Sequence, residues 1–383
     1  MKDGPIAILN GPGVHVDRDG LQRWCDEWSN DLGVNLSCQF AGDERELMQA
    51  LADASSEARG ILVNPGTGDV VAVQQAVEGS ALPVVWVDVQ EAERPRPRLL
   101  EDVSVAAIRG RGVWGYRWAA QYLLQRLEWP FTVVPYGSER DQVGDLRLPA
   151  NGDGPWPVAV LLHGGFWRER WERDTIEPLA IDLTRRGFAT WNLEYRRVGP
   201  FGGGWPSTCE DVAAGIDALA DLADLHPLDL SRVVYIGHSA GGQLALWAVK
   251  RHGMHTPARV SPMLVVSLAG VADLEECAHR GLGDTGDAAA ALMGAEPEQR
   301  PAEYAAASPM RSLPLGVPQL VVQGRLDNTP DLVDMSRLYA QAASEAGDSV
   351  DFLELDDADH FHLIVPSSHA WPLIVERIER SVW

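Results

Sequence analysis

Cysteine is scarce in this chain, and the four present, Cys25, Cys38, Cys209 and Cys277, show no C-x-x-C spacing. Scattered thiols of this kind argue against a disulfide frame and fit a reducing compartment. Basic charge is also short: 32 Lys and Arg stand against 55 Asp and Glu, a formal net charge of −23. A surface of that sign repels phosphate backbones and anionic bilayers, so neither nucleic acid nor membrane is expected as a partner. No apolar stretch approaches the roughly 18 residues of a membrane span, and Met1 to Pro5 does not lead a charged region into an apolar one. The expected address is the cytoplasm. Repeats and low-complexity segments are lacking. His252 with His255, and His360 with His362, have no third acidic or cysteine ligand at useful spacing, so no metal is expected. Asn10-Gly11-Pro12-Gly13 opens no G-x-G-x-x-G, and Pro12 removes an N–H, so no nucleotide cofactor is expected either.

What is present is a rhythm of short apolar runs and helical patterns. At 383 residues and 45% hydrophobic content the chain exceeds one ordinary core and has enough apolar sequence for two. Strand-like runs at Ile6 to Leu9, Ile61 to Val63 and Pro83 to Val87 alternate with helical stretches at Leu21 to Leu32, Leu47 to Ala54 and Val70 to Val77. That alternation predicts a parallel sheet covered on both faces. Residues 91 to 100 read as an exposed loop, Trp114 to Leu127 as a long amphipathic helix, and Trp129-Pro130 as a stop. A second α/β series follows, with apolar runs at Val158 to Leu162, Ala189 to Leu193, Val233 to Ile236, Met263 to Leu268, Leu320 to Val322 and Val350 to Leu355. Two domains are expected, 1–128 and 129–383.

Gly237-His238-Ser239-Ala240-Gly241 lies between the apolar run Val233 to Ile236 and a helix-forming stretch from Gln243. A strand, a glycine-flanked serine and a helix make a nucleophile elbow, which holds the serine hydroxyl clear of the backbone. Ser239 is the expected nucleophile. Acyl transfer also needs a base, a group to orient it and donors for the oxyanion. Asp327 follows the run Leu320 to Val322, and His360 follows Val350 to Leu355, each where open α/β sheets gather functional groups. The order Ser, Asp, His is that of an α/β-hydrolase. His163-Gly164-Gly165-Phe166-Trp167 follows another strand, so the N–H groups of Gly165 and Phe166, with that of Ala240, are the oxyanion-hole candidates. Trp167, Trp171 and Trp205, with Phe166 and Phe201, are candidate pocket walls for a small-molecule substrate. Gly202-Gly203-Gly204 suits a lid. Arg168, Arg170, Arg196 and Arg197 either meet a substrate carboxylate or are solvated surface groups.

These residues, with Tyr136-Gly137, Gln142 to Pro149 and Asn192-Leu193-Glu194-Tyr195-Arg196-Arg197, resemble the α/β-hydrolase superfamily over about residues 131 to 383. Within it they resemble the kynurenine formamidases (arylformamidases) and small carboxylesterases. The resemblance implies metal-free hydrolysis of a small ester, aromatic ones included, or of a formamide or amide, through an acyl-serine. A peptidase or amidase acting on small aminoacyl compounds stays open, as does a non-catalytic oligomeric scaffold.

The first domain resembles type II 3-dehydroquinate dehydratase, a flavodoxin-like family, through Ile8-Leu9-Asn10-Gly11-Pro12, Glu44 to Leu47, Ile61 to Gly66, Pro83 to Asp88 and Gly112 to Tyr116. Against that family's pattern, Gly13 replaces an asparagine and the loop with its arginine and tyrosine is cut to Val14 to Arg18. The histidine after N-P-G is missing, and Trp86-Val87-Asp88 stands in place of E-x-H. Asn64 is what this comparison leaves of the polar set. The resemblance therefore implies a catalytically inactive domain, retained for homo-oligomerisation in trimers or dodecamers. A working dehydratase with an accessory hydrolase is the alternative.

Overall fold

Ile6–Asn10 and Gly60–Asn64 are buried along their whole length, as strands covered by helices on both faces must be. The computed structural model describes residues 4–78, 82–89, 106–199, 202–254 and 257–383. The expected loop at 91–100, Phe201 and His255 lie outside the described residues. The chain divides into two compact units, Met1–Pro130 and Phe131–Trp383.

In the first unit β1 (Ile6–Asn10), α1 (Arg18–Leu32), β2 (Leu36–Phe40), α2 (Glu44–Glu57), β3 (Gly60–Asn64), α3 (Val70–Glu78), β4 (Val84–Asp88), β5 (Ala106–Arg109) and α4 (Trp114–Glu128) alternate. The sheet is parallel, in the order β2-β1-β3-β4-β5, the flavodoxin-like doubly wound arrangement. Helices α1 and α4 contact one another, as do α2 and α3. Helix α2 starts where it does because the Asp43 carboxylate accepts from the Glu46 N–H at 2.8 Å. The apolar rhythm does not predict the edge strands: β2 is fully buried at Leu36 alone, and β5 is only four residues long.

The second unit contains β6 (Thr132–Pro135), β7 (Val143–Arg147), β8 (Trp156–Leu162), α5 (Glu177–Arg185), β9 (Ala189–Leu193), α6 (Ser207–Leu222), β10 (Leu228–His238), α7 (Ala240–Lys250) and β11 (Leu264–Leu268). Three short helices, α8 (Leu274–His279), α9 (Ala288–Met293) and α10 (Pro301–Ala307), precede β12 (Gln319–Gly324), α11 (Pro330–Glu345), β13 (Val350–Leu355) and α12 (Trp371–Val382). Its eight-stranded sheet runs β13-β12-β11-β10-β8-β9-β7-β6 and is mixed, because β7 pairs antiparallel with both β6 and β9. One face buries Ile216 of α6, Leu244 of α7 and Tyr339 of α11. The other buries Leu179 of α5 and Ile374 of α12. Each such aliphatic side chain removed from water contributes about 1.5–3 kcal/mol. The central strands β8 and β10 are therefore the rigid floor on which the loops at their C-terminal ends are mounted. Among the described residues no helix is long and apolar enough to cross a membrane.

Candidate active site

Strand β10 delivers Ser239 directly into α7, and the serine takes φ 55° and ψ −119°. For a residue with a β-carbon this backbone costs of order 1–3 kcal/mol, held in place by the surrounding packing. Glycine is required on both sides: a β-carbon on Gly237 would lie 1.9 Å from the Gly241 carbonyl oxygen, and one on Gly241 would lie 2.1 Å from that of Leu162. The turn is fixed by the Ser239 N–H, which donates to the Leu268 carbonyl at 2.8 Å.

From the ends of β12 and β13 come the other two candidates, and they meet. His360 Nδ1 lies 2.7 Å from Asp327 Oδ2. A carboxylate only accepts, so the proton sits on Nδ1 and the His360 Nε2 lone pair is free to act as a base. Asp327 is held on both oxygens, with Oδ2 accepting from Gln323 Nε2 at 3.0 Å and Oδ1 from the Thr329 N–H at 2.8 Å. Gln323 is oriented in turn by Ser336, whose hydroxyl donates to Gln323 Oε1 at 2.8 Å. All these side chains are buried, where an aligned polar network is stiff.

Ser239 and His360 share a cavity of about 160 Å³, lined also by Gly164, Gly165 and Phe166 and by Trp171, His238 and Phe361. The loop after β8 presses against the elbow, since a β-carbon on Gly164 would lie 2.9 Å from Ser239 Cβ. His163 fixes that loop. Its Nδ1 is 2.8 Å from the Gly164 carbonyl, its Nε2 is 2.9 Å from Glu194 Oε1, and its ring stacks on Tyr195 at 4.5 Å. Burial alone would raise the Glu194 carboxyl; Arg197, His163 and Arg173 around it hold it well below the usual carboxylate range, so it is a permanent anion.

Of the three tryptophans expected as pocket walls, Trp171 lines the cavity and the other two do not. Positive φ at Phe166 and Trp167 turns the Trp167 indole inward, where it is fully buried and donates to Gln243 Oε1 at 3.0 Å. Trp205 instead sets its ring edge-on to Trp247 of α7, with centroids 6.2 Å apart. Of the glycines expected as a lid before it, Gly202 stands in open space, Gly203 packs so close that a β-carbon would lie 2.1 Å from the Arg197 backbone, and the Gly204 N–H donates to Thr208 at 2.9 Å. The four arginines are all paired within the protein: Arg168 with Asp287, Arg170 with Asp284, Arg196 with Asp211, and the fully buried Arg197 with Glu194 and Asp141. His238 and Phe361 line the cavity without having been expected there; each adjoins a triad candidate in the chain, and that adjacency is their signal in the sequence. Among the described residues no group of three or more His, Cys, Asp or Glu could hold a metal ion.

In the first unit the strand ends at the switch point between β1 and β3 are closed. Tyr116 OH donates to Asn10 Oδ1 and accepts from Asn64 Nδ2 at 2.9 Å. The Thr67 N–H donates to the Pro12 carbonyl at 2.7 Å, and a β-carbon on Gly66 would lie 2.1 Å from that same oxygen. Asn64 is thus tied to Tyr116 and, through its Oδ1, to the Gly66 N–H at 3.2 Å, while Asn10 Nδ2 donates to the Gln39 carbonyl at 3.2 Å.

An elbow serine, a histidine paired with a carboxylate at the next strand ends and a sheet of this order define an α/β-hydrolase unit. More particularly, the BD-FAE family model matches residues 145–341, and the chain belongs to that family. The dehydroquinase class II model matches residues 15–124. A 3-dehydroquinate dehydratase of Deinococcus radiodurans is 31% identical in an alignment of 142 residues that covers 32% of this chain and 99% of that protein, so the first unit belongs to the dehydroquinase class II family. A kynurenine formamidase of Danio rerio is 23% identical over 235 residues, covering 60% of this chain and 74% of its own length. The crystal structure of esterase B from Lactobacillus rhamnosis shares the fold, with a TM-score of 0.58 at 17% identity over 69% of this chain and 90% of that one.

Proposed function

We propose that the second unit is a serine hydrolase that cleaves a small carboxylic ester, or a formamide or amide, through an acyl-serine intermediate. The observation that carries this reading is the 2.7 Å pair of His360 and Asp327 opening onto the same cavity as the strained Ser239. His360 Nε2 takes the proton from Ser239 Oγ as it attacks the carbonyl carbon, and Asp327 steadies the imidazolium that results. N–H groups of Gly165, Phe166 and Ala240 hold the oxyanion, Ala240 at the positive end of α7. His360 then protonates the leaving alcohol or amine, and water, deprotonated by the same imidazole, releases the acid and restores the hydroxyl.

The cavity volume limits the group it takes. About 160 Å³ compares with the roughly 150 Å³ pocket that accommodates benzene, so a short aliphatic acyl group or a single aromatic ring fills it. Across p-nitrophenyl esters, kcat/KM is expected to peak between acetyl and butyryl and to fall by about tenfold or more at octanoyl. A profile that stays level to octanoyl overturns the small-group reading. N-formylkynurenine and aminoacyl anilides assayed beside the esters separate formamidase and peptidase from esterase.

We propose for the first unit a catalytically silent role in homo-oligomerisation within a cytoplasmic protein. The hydrogen bonds that join Tyr116 to Asn10 and Asn64 support silence, because they occupy these polar side chains within the protein and Tyr116, with its hydroxyl pushed up by burial, stays protonated. The full chain is expected to leave dehydroquinate unconsumed and to scatter light as a trimer or a multiple of one. Dehydroquinate turnover, or a monomeric mass at micromolar concentration, overturns the corresponding half of the proposal.

A further inference from the structure

His238 takes no part in the proton transfers above, yet it is buried against the cavity where three loops converge. Its Nε2 lies 3.0 Å from the carbonyl oxygen of His360. A carbonyl only accepts, so Nε2 carries the proton and donates it to that hydrogen bond. The two imidazole rings lie 4.5 Å apart between centroids at 53°, and the Phe361 ring stands edge-on to His360 at 5.4 Å. On its other side His238 meets the loop after β8: a β-carbon on Gly164 would come within 2.9 Å of the His238 carbonyl oxygen and 3.0 Å of its Nδ1.

The loops that carry Asp327 and His360 are bound to each other through their backbones, with the Leu326 N–H donating to Ala358 at 2.9 Å and the Arg325 N–H to Leu355 at 2.8 Å. The elbow is bound to the end of β11 through Ser239 and Leu268. Among the described residues, the bond from His238 is the one hydrogen bond that runs from the elbow to the His360 loop. We infer that His238 is a positioning residue: its Nε2–H holds the His360 backbone so that one imidazole faces Ser239 and Asp327 together, an inference that rests on the acyl-serine reading above. A neutral ring suits the place. A second positive charge beside His360 would oppose the imidazolium formed there in turnover. Burial, and then His360 itself, hold His238 well below the ordinary histidine range, so it stays uncharged.

The test compares the full-length wild type with H238F, which keeps a ring and removes the donor, and H238Q, whose amide restores one. H238F is expected to lower kcat for p-nitrophenyl acetate by about 30- to 100-fold with KM within about twofold, the cost of a misplaced base. H238Q is expected to recover to within about fivefold of the wild type, because its N–H again meets the His360 carbonyl. The low-field proton resonance of the His360 Nδ1–H, bonded to Asp327, shifts or broadens in H238F and returns in H238Q. If H238F does not fold, H238M, which matches glutamine in length without its donor, takes its place. A donor-free variant with wild-type kcat and an unmoved resonance overturns the inference, and so does H238Q impaired as deeply as the donor-free variant. A wild type that hydrolyses no ester and resists fluorophosphonates overturns the acyl-serine reading instead, and the resonance comparison still decides the role of His238.

Discussion

Ser239→Ala is expected to abolish labelling by a fluorophosphonate probe and to lower kcat for a short-chain ester by at least about 10⁴-fold. The loss is that large because the hydroxyl is the atom to be acylated, and no neighbouring group replaces it: His238 before it is buried and uncharged, and Ala240 after it has no functional side chain. The fold is expected to survive. Ser239 makes no side-chain capping bond to α7, so removing its oxygen leaves the helix start intact, and alanine occupies the same strained backbone at similar cost. Thermal unfolding within about 3 °C of the wild type, together with lost labelling, is the expected pair of results. A variant that still labels, or that keeps more than about one part in a hundred of the wild-type rate, places the nucleophile elsewhere.

Asp327→Asn is expected to cost about 10³- to 10⁴-fold in kcat, and the hydrogen bonds around the carboxylate explain why an isosteric change is so severe. Oδ2 accepts from both His360 Nδ1 and Gln323 Nε2, while Oδ1 accepts from the Thr329 N–H. An asparagine with its oxygen toward His360 turns its NH₂ against the Thr329 donor. The flipped amide turns the NH₂ against Gln323 and forces His360 into the other tautomer, with its proton on the nitrogen that should act as base. Either orientation leaves donors facing donors in a buried site, costing about 1–3 kcal/mol of stability, and neither supplies the negative charge that stabilises the imidazolium. Steady-state kinetics with a thermal melt checks this. A fall smaller than about tenfold overturns the assignment of Asp327 as the orienting group.

Legibility in the sequence followed the reach of the physics involved. Strand β10 was readable because Val233 to Ile236 is a continuous apolar run, and the elbow after it because its glycines answer contacts within a few residues. Strand β7 carries no such signal, since Val143-Gly144-Asp145-Leu146-Arg147 has two charges and a glycine in five buried positions. Their partners come from other segments: Asp145 pairs with Arg173 at 2.8 Å and Arg147 with Glu177, and the Trp191 indole packs so close to Gly144 that it leaves no room for a β-carbon. The same limit separates Trp167 from Trp171. Both follow the glycine pair at short range, and only the turn taken at Phe166 and Trp167 sends one indole into the core while the other faces the cavity.

By itself the sequence determined two α/β units, the class of the second one and the order of its serine, aspartate and histidine, because alternating burial and glycine-flanked turns are local properties of the chain. Tertiary structure alone decided the size of the cavity, the tryptophan that faces it, the place of His238 between three loops and the closing of the first unit's strand ends by Tyr116. Such meetings join segments distant in the chain, as in the pairs Asn64–Tyr116 and His238–His360, 52 and 122 residues apart. No periodicity encodes such a meeting; it arises when folded elements bring their ends to one edge of a sheet.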